Sequence, residues 1–290
     1  MSAPAEALAT PAQVRRRFNW GRLAFLVPVH ASLLLAPWTF SWVNLGVAVG
    51  LHALLGGLGI CVGYHRLLTH KSFTARRPLT YLLVTLGALT IQGGPSAWVA
   101  NHRRHHRSSD GPGDPHDASR GFWWAHMGWI FAGVPPEDAQ RWRRRYAPDM
   151  LENAYFRFLD RWYWALQIPL GLALLAAGGW GMVVWGVGVR LVATYHTTYL
   201  VNSAAHRFGY RTYRTDDRSR NTWWVALLAY GEGWHNNHHA FPWSARHGLR
   251  RWEIDPAYLA IRLFRVLGLV STVHVPSPDR RRARAGVEEA

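Results

Sequence analysis

The chain is poor in cysteine, poor in acid and, over two long stretches, empty of charge altogether. Cys61 is the only cysteine in 290 residues, which excludes an internal disulfide, a thiolate-held zinc site and an iron–sulfur cluster carried by this chain alone. Any electrons the protein uses must come from outside. Asp and Glu number 17 against 33 Lys and Arg, a formal net charge of +16, and such a balance raises the question of nucleic acid. The missing charges answer it. Leu23 to Tyr64 and Trp162 to Val189 contain no Asp, Glu, Lys or Arg, and soluble nucleic-acid binders rarely have such runs, so no nucleic-acid partner is expected. A cleavable leader is not expected either, since Ala and Pro precede Arg15, Arg16 and Arg17 and the apolar stretch that follows is as long as a membrane span.

A hydrocarbon core about 30 Å thick takes about 20 helical residues to cross. The first uncharged run holds two crossings with a turn over Pro37 to Asn44, and the second, continued to Ser203, holds two more, broken near Gly178, Gly179 and Gly181. An all-α integral membrane protein follows, with four spans at about 23–40, 45–64, 162–178 and 181–203. Arg15 to Arg22, Arg76 and Arg77, Arg141 to Arg145 and Arg280 to Arg284 all fall on one side of these spans, and the two opposite turns are uncharged. The positive-inside rule then puts both termini and the long connections in the cytoplasm. The organisation expected is a tail at 1–20, a single membrane domain at 21–273 and a basic, disordered tail at 274–290. The apolar segment Pro78 to Ala100, interrupted at Gly87 and Gln92 to Pro95, reads as a re-entrant or interfacial helix.

Against this background stand 16 histidines. His102, His105 and His106 repeat the pattern of His235, His238 and His239, each at i, i+3 and i+4, so each triplet puts three rings on one helix face. Independent placement gives roughly 0.05 such triplets per chain when matches are counted. His65 and His70 follow the second span; their five-residue interval turns through about 140° on an ideal helix, so a distorted turn or two different metal targets is needed. Asn202 and His206 lie four apart at the end of the fourth span. Nine imidazoles exceed what one ion takes, and nine neutral ligands suit a pair of redox-cycling iron ions better than zinc, which needs three or four.

His65-Arg66-Leu67-Leu68-Thr69-His70, Asn101 to His106, Asn202-Ser203-Ala204-Ala205-His206 and His235 to Pro242 resemble, in order and spacing, the membrane-bound acyl desaturases of the stearoyl-CoA (delta-9) type. The resemblance implies four spans under a cytoplasmic helical cap. In the cap, two irons are held by His65, His70, His102, His105, His106, His206, His235, His238 and His239, with Asn202 contacting one of them through water. It also implies an O2-dependent reaction that places a cis double bond in a saturated acyl chain carried on coenzyme A or a lipid. No His-Pro-Gly-Gly haem motif is present, so a separate ferredoxin, rubredoxin or cytochrome b5 with its reductase is implied as electron donor.

Around these ligands, Glu232 is expected to orient a ligand ring, and His116 and His196 are the expected helpers among the other histidines. Arg190, inside the fourth span, must face the bundle or snorkel, anchoring the helix or meeting a substrate headgroup. Arg103 and Arg104, with Arg141, Arg143 and Arg144, are candidates for substrate phosphates or an acidic electron carrier. Gly56, Gly57 and Gly59 suit helix packing or an acyl tunnel, and Trp98, Trp123, Trp124, Trp223, Trp224 and Trp234 are candidate walls. The rival readings are a related di-iron hydroxylase or ketolase of alkanes, sterols or carotenoids and, from another class, a His-rich metal transporter, whose ligands should lie at mid-membrane depth.

Overall fold

The Asn19 side chain accepts the backbone N–H of Arg22 and starts the first helix. The computed structural model describes residues 17–286, so Arg15, Arg16 and most of the expected N-terminal tail lie outside it. Helix α1 (Trp20–Ala31) tightens into a 3₁₀ turn at Ser32–Leu35. The helix expected at 23–40 therefore stops at Leu35, because Pro37 opens a separate 3₁₀ turn. Ser41 caps α2 (Trp42–Leu51), and the same helix continues as a π-helical stretch from His52 to Thr69.

The helix expected at 162–178 also starts later than hydropathy suggests. Trp162 ends a helix begun at Ala154, and the next helix starts only at Gln167. Its run is broken where Gly178 and Gly179 leave helical geometry, Gly179 with a φ of 72°. The expected break is therefore present, and the helix resumes to Ser203. Two helices, Trp42–Thr69 and the kinked Gln167–His206, are long and apolar enough to cross a membrane, while Trp20–Leu35 is shorter. Trp38, Trp42, Leu172 and Trp180 are 81%, 78%, 62% and 62% exposed. Apolar side chains bared to this extent suit hydrocarbon surroundings and point to membrane association.

Helix α3 (Arg77–Ala88) packs lengthwise on the π-helical stretch, and glycine makes this possible. A Cβ on Gly59 would fall 2.4 Å from the backbone nitrogen of Gly87. The chain then turns through residues 89–94 and enters α4 (Pro95–Arg107), which carries the first histidine triplet. The core between these helices includes Val62, Leu83, Val84, Val99 and Leu159, with Ile261 from the helix Pro256–Val266. Antiparallel pairing of Phe73–Ala75 with Val270–Val273 fastens the end of the domain to the exit of the π-helical stretch.

Beyond that strand the expected disordered tail is in part ordered. Pro278–Arg284 is a helix: Arg281 donates to the Leu249 carbonyl at 3.1 Å, and Arg284 donates to that of Ala240. The basic composition that read as a solvated tail supplies the donors that hold it down.

Candidate metal centre

The π-helical stretch resolves the awkward spacing of His65 and His70. The backbone N–H of His70 donates to the His65 carbonyl at 3.2 Å, an i to i+5 bond, which stacks residues five apart much as an α-helix stacks residues four apart. Helix α4 presents His102, His105 and His106 from a second side, and the short helix His235–Ala240 presents its triplet from a third. His206 arrives from the 3₁₀ turn Ala204–His206 that ends the last long helix.

All nine rings converge, and they divide. His65, His70, His102, His106 and His238 form one cluster and His105, His206, His235 and His239 another, with ligand atoms in each within 4.8 Å of one another. In the first, Nε2 of His238 lies 3.1 Å from that of His65 and 2.9 Å from that of His106, which lies 3.1 Å from that of His102. In the second, Nε2 of His239 lies 3.3 Å from that of His105 and 3.0 Å from that of His235, and His235 is 3.0 Å from His206. The clusters adjoin: the rings of His106 and His239 have centroids 4.5 Å apart.

Four carboxylates fix how these rings carry their protons. Nδ1 of His65 lies 2.6 Å from Glu232, that of His105 2.8 Å from Asp114, that of His206 2.9 Å from Asp110 and that of His239 2.6 Å from Asp217. A neutral ring that donates from Nδ1 has a bare lone pair on Nε2. His105, His206 and His239 therefore aim three lone pairs into one small volume, an arrangement that repels itself unless a cation sits among them. The same holds for His238, whose Nε2 touches two neighbours and has one hydrogen or one lone pair to offer. The donor set fits two metal ions with nitrogen ligands.

The electrostatics agree with this role for most of the rings, His105 excepted, which burial would lower but Asp114 raises. Burial pushes the His239 imidazole down to about 4 against the pull of Asp217, and pushes His116 down to about 3 against Asp114. Burial also drives His235 and His238 well below the ordinary imidazole range. Neutral rings are the form that binds metal. Burial alone would raise the Glu232 carboxyl, yet His65, Arg66 and His247 around it hold it well below the usual carboxylate range, and His105 and His116 do the same for Asp114.

Other expectations fare unevenly. Glu232 contacts His65 and also takes the buried guanidinium of Arg66, which bridges on to Asp255. The His116 ring lies tilted against that of His105, with centroids 4.3 Å apart. His196 lies away from both clusters, in a hydrogen-bonded string that joins His30 at 3.1 Å to His126 at 2.9 Å and continues to Ser203 at 3.0 Å. Arg103 does not await a phosphate: it binds Asp149 at 2.7 Å and the carbonyls of Leu68, Thr69 and Tyr146. Arg104 donates to Gly113 and stacks 3.7 Å over Trp142. Arg190 is fully buried and donates to the carbonyls of Gly186 and Leu89 and to Gln167, so it anchors its helix. Asp110, Asp114 and Asp217 are ring-orienting groups that spacing alone leaves unassigned, the acid-rich run around 110–116 being the available signal, and His247, one of the other histidines, lies 4.4 Å from the His238 ring and 3.2 Å from Glu232.

A cavity of about 430 Å³ leads to the clusters. It runs from Asn19, Arg22 and Phe25 past Tyr163 and Trp164 to Trp98, His102, His116 and Asn202. A narrower one of about 50 Å³ shares Trp98, His102, Thr198 and Asn202 and continues between the long helices to Gly56, His52 and Thr194. Of the tryptophans proposed as walls, Trp98 serves; Trp123 and Trp223 are 73% and 63% exposed. Gly56 lines the narrow cavity, whereas Gly59 serves packing.

Comparison with known proteins bears on what this arrangement does. The model of the fatty acid desaturase family matches residues 40–265. A "sn-1 stearoyl-lipid 9-desaturase" of Anabaena variabilis is 50% identical over 89% of this chain and 94% of its own length. A "sn-2 palmitoyl-lipid 9-desaturase" of Nostoc sp. (strain 36) is 47% identical over 91% and 93%. The chloroplastic "Palmitoyl-monogalactosyldiacylglycerol delta-7 desaturase" of Arabidopsis thaliana is 41% identical over 93% and 72%. With histidines gathered as their motifs implied and likeness running along nearly the whole chain, this protein belongs to the fatty acid desaturase family and is an oxidoreductase that desaturates acyl chains.

Proposed function

We propose that the protein introduces a cis double bond at the delta-9 position of a saturated acyl chain esterified in a membrane lipid, using O2, two iron ions and electrons from a separate carrier. The observation that carries this reading is the wall that the two cavities share at Trp98, His102, Thr198 and Asn202: a chain entering past Arg22 and Tyr163 would reach the clusters part-way along its length and extend beyond them toward His52. The delta-9 position and the lipid carrier are supported by the names of the cyanobacterial relatives. The lining supports a lipid over coenzyme A as well. Among the described residues, Arg22 is the single Lys or Arg in the wall of the wide cavity, too few cations for a polyphosphate.

His65, His70, His102, His106 and His238 would hold one iron, and His105, His206, His235 and His239 the other, with Asn202 beside them through water. The bound irons supply the oxidising power that methylene groups demand and side chains lack. Trp98, Thr198 and Asn202 fix the depth of the chain, and its close walls exclude water. Glu232, Asp110, Asp114 and Asp217 keep the Nε2 lone pairs directed inward. The reaction balances when two hydrogens from neighbouring carbons, O2, two electrons and two protons give an alkene and two waters.

In this reading four crossings place both termini and the clusters on the cytoplasmic side. Ligands gathered at helix ends and connections fit an enzyme at the membrane edge better than a transport path. Expression in cells with total lipid classes resolved by chromatography and mass spectrometry tests it. A new monounsaturated chain within glycerolipids is expected, and His105→Ala or His238→Ala should remove it while the protein still inserts. A hydroxylated chain without an alkene would overturn the reaction.

A further inference from the structure

Electrons must reach two clusters that lie under protein, and one surface segment is bonded to the ligands of the second. Asp217 accepts from Nδ1 of His239, and the next residue, Arg218, donates its backbone N–H at 2.7 Å to Asp110, which holds His206. Residues 207–220 thus form the roof of that cluster. The same segment carries Arg207, Arg211, Arg214, Arg218 and Arg220, with Arg207, Arg214 and Arg218 exposed.

The basic surface does not stop there. The helix Pro278–Arg284 is fastened beside the roof: Arg214 N–H donates to the Arg284 carbonyl at 3.1 Å and Gly286 N–H to that of Thr212 at 3.0 Å. Together the two segments hold nine arginines against Asp216, Asp217 and Asp279. Asp217 is occupied by His239 and Ser219, and Asp279 pairs with Arg282. The wide cavity has none of these residues in its wall, so a protein seated here leaves the acyl route open.

We propose that the roof 207–220 and the helix 278–284 form the docking face for an acidic one-electron carrier protein, which delivers electrons through Asp217 and His239. This rests on the desaturase reading above. Charge complementarity sets the encounter, and ionic strength should control it. Binding and electron transfer are measured with a plant-type [2Fe–2S] ferredoxin as probe, the protein being held in discs of neutral lipid with and without iron. Arg214→Glu/Arg218→Glu and, separately, Arg280→Glu should each weaken binding about tenfold, with or without iron, and slow reduction by the carrier to match. Arg144→Glu, on the separate basic helix Pro136–Tyr146, which packs on α4, should leave both unchanged. Equal weakening by Arg144→Glu, or no weakening by the first two, overturns the proposal. So does a face that gathers anionic vesicles but not the carrier. Alkene formation with a small chemical reductant separates the two readings: its absence in iron-loaded protein indicts the reaction, whereas its presence beside carrier binding indifferent to Arg214 and Arg218 indicts the docking face.

Discussion

A carboxylate oxygen of Glu232 lies 2.6 Å from Nδ1 of His65, and the other oxygen of the same group takes the guanidinium of Arg66. One acid thus orients a ligand and neutralises a buried cation. Glu232→Gln keeps one acceptor but turns an N–H₂ toward its neighbours, so affinity for the first metal should fall about 10–100-fold. Metal titration of purified protein measures this, and unchanged affinity would remove Glu232 from its orienting role.

Asp217→Asn should act on the other cluster alone. Only His239 among the nine rings contacts Asp217, so the iron content is expected to fall toward one ion per chain, with the remaining ion's spectrum unchanged. Loss of both ions together would show that the clusters form as a unit.

Acid should release metal before it unfolds the core. His239 and His116 sit at about 4 and about 3 in the folded protein against an ordinary 6.5, so the unfolded chain binds protons first. Their contribution to stability is complete above the ordinary value and is lost as pH falls through it toward the folded values. Protons also compete for the same nitrogens. Iron per chain after dialysis at about pH 7.5 and about pH 5, and the unfolding temperature of the iron-free protein over that range, should both decline with falling pH.

Arg103→Ala should destabilise the fold without altering substrate selectivity. It strips Asp149, three carbonyls and the junction between α4 and the π-helical stretch of a shared donor, at a cost of about 2–4 kcal/mol. Asp149, held near 2 by Arg103 and Lys71 against its desolvation, should rise toward the ordinary carboxylate value in the variant. A variant of unchanged stability with weakened substrate binding would restore Arg103 to the substrate's side.

Gly59→Ala and Gly46→Ala should differ in sign. The first forces a methyl group into the backbone of α3 and should cost about 1–3 kcal/mol, while the second meets nothing within 4 Å in a helix interior and should stabilise by about 0.5–1 kcal/mol. Thermal unfolding in detergent compares them.

The ligands were legible because i, i+3, i+4 spacing survives folding: a helix that forms at all must put His102, His105 and His106 on one side. Adjacency misled for the same reason. Arg103 and Arg104 stand one and two residues past His102, so about 100° of rotation per residue turns them away from the metals, toward Asp149 and Trp142. The orienting acids were harder to read, since Asp110 and Asp217 come from irregular loops 107 residues apart whose meeting no periodicity encodes. Hydropathy locates the apolar helices but not their ends, because it cannot tell the turn at Pro37–Thr39 or at 163–166 from helix.

The string through His196 has an arithmetic of its own. From the Leu26 carbonyl through His30, His196, His126 and Ser203 to the Tyr199 carbonyl there are five contacts, and each requires a hydrogen. Three uncharged imidazoles and one hydroxyl provide four. Complete and uncharged at once it cannot be: closing every contact would need one of these rings to be an imidazolium, lodged between α1 and the last long helix with no carboxylate bonded to it among the described residues.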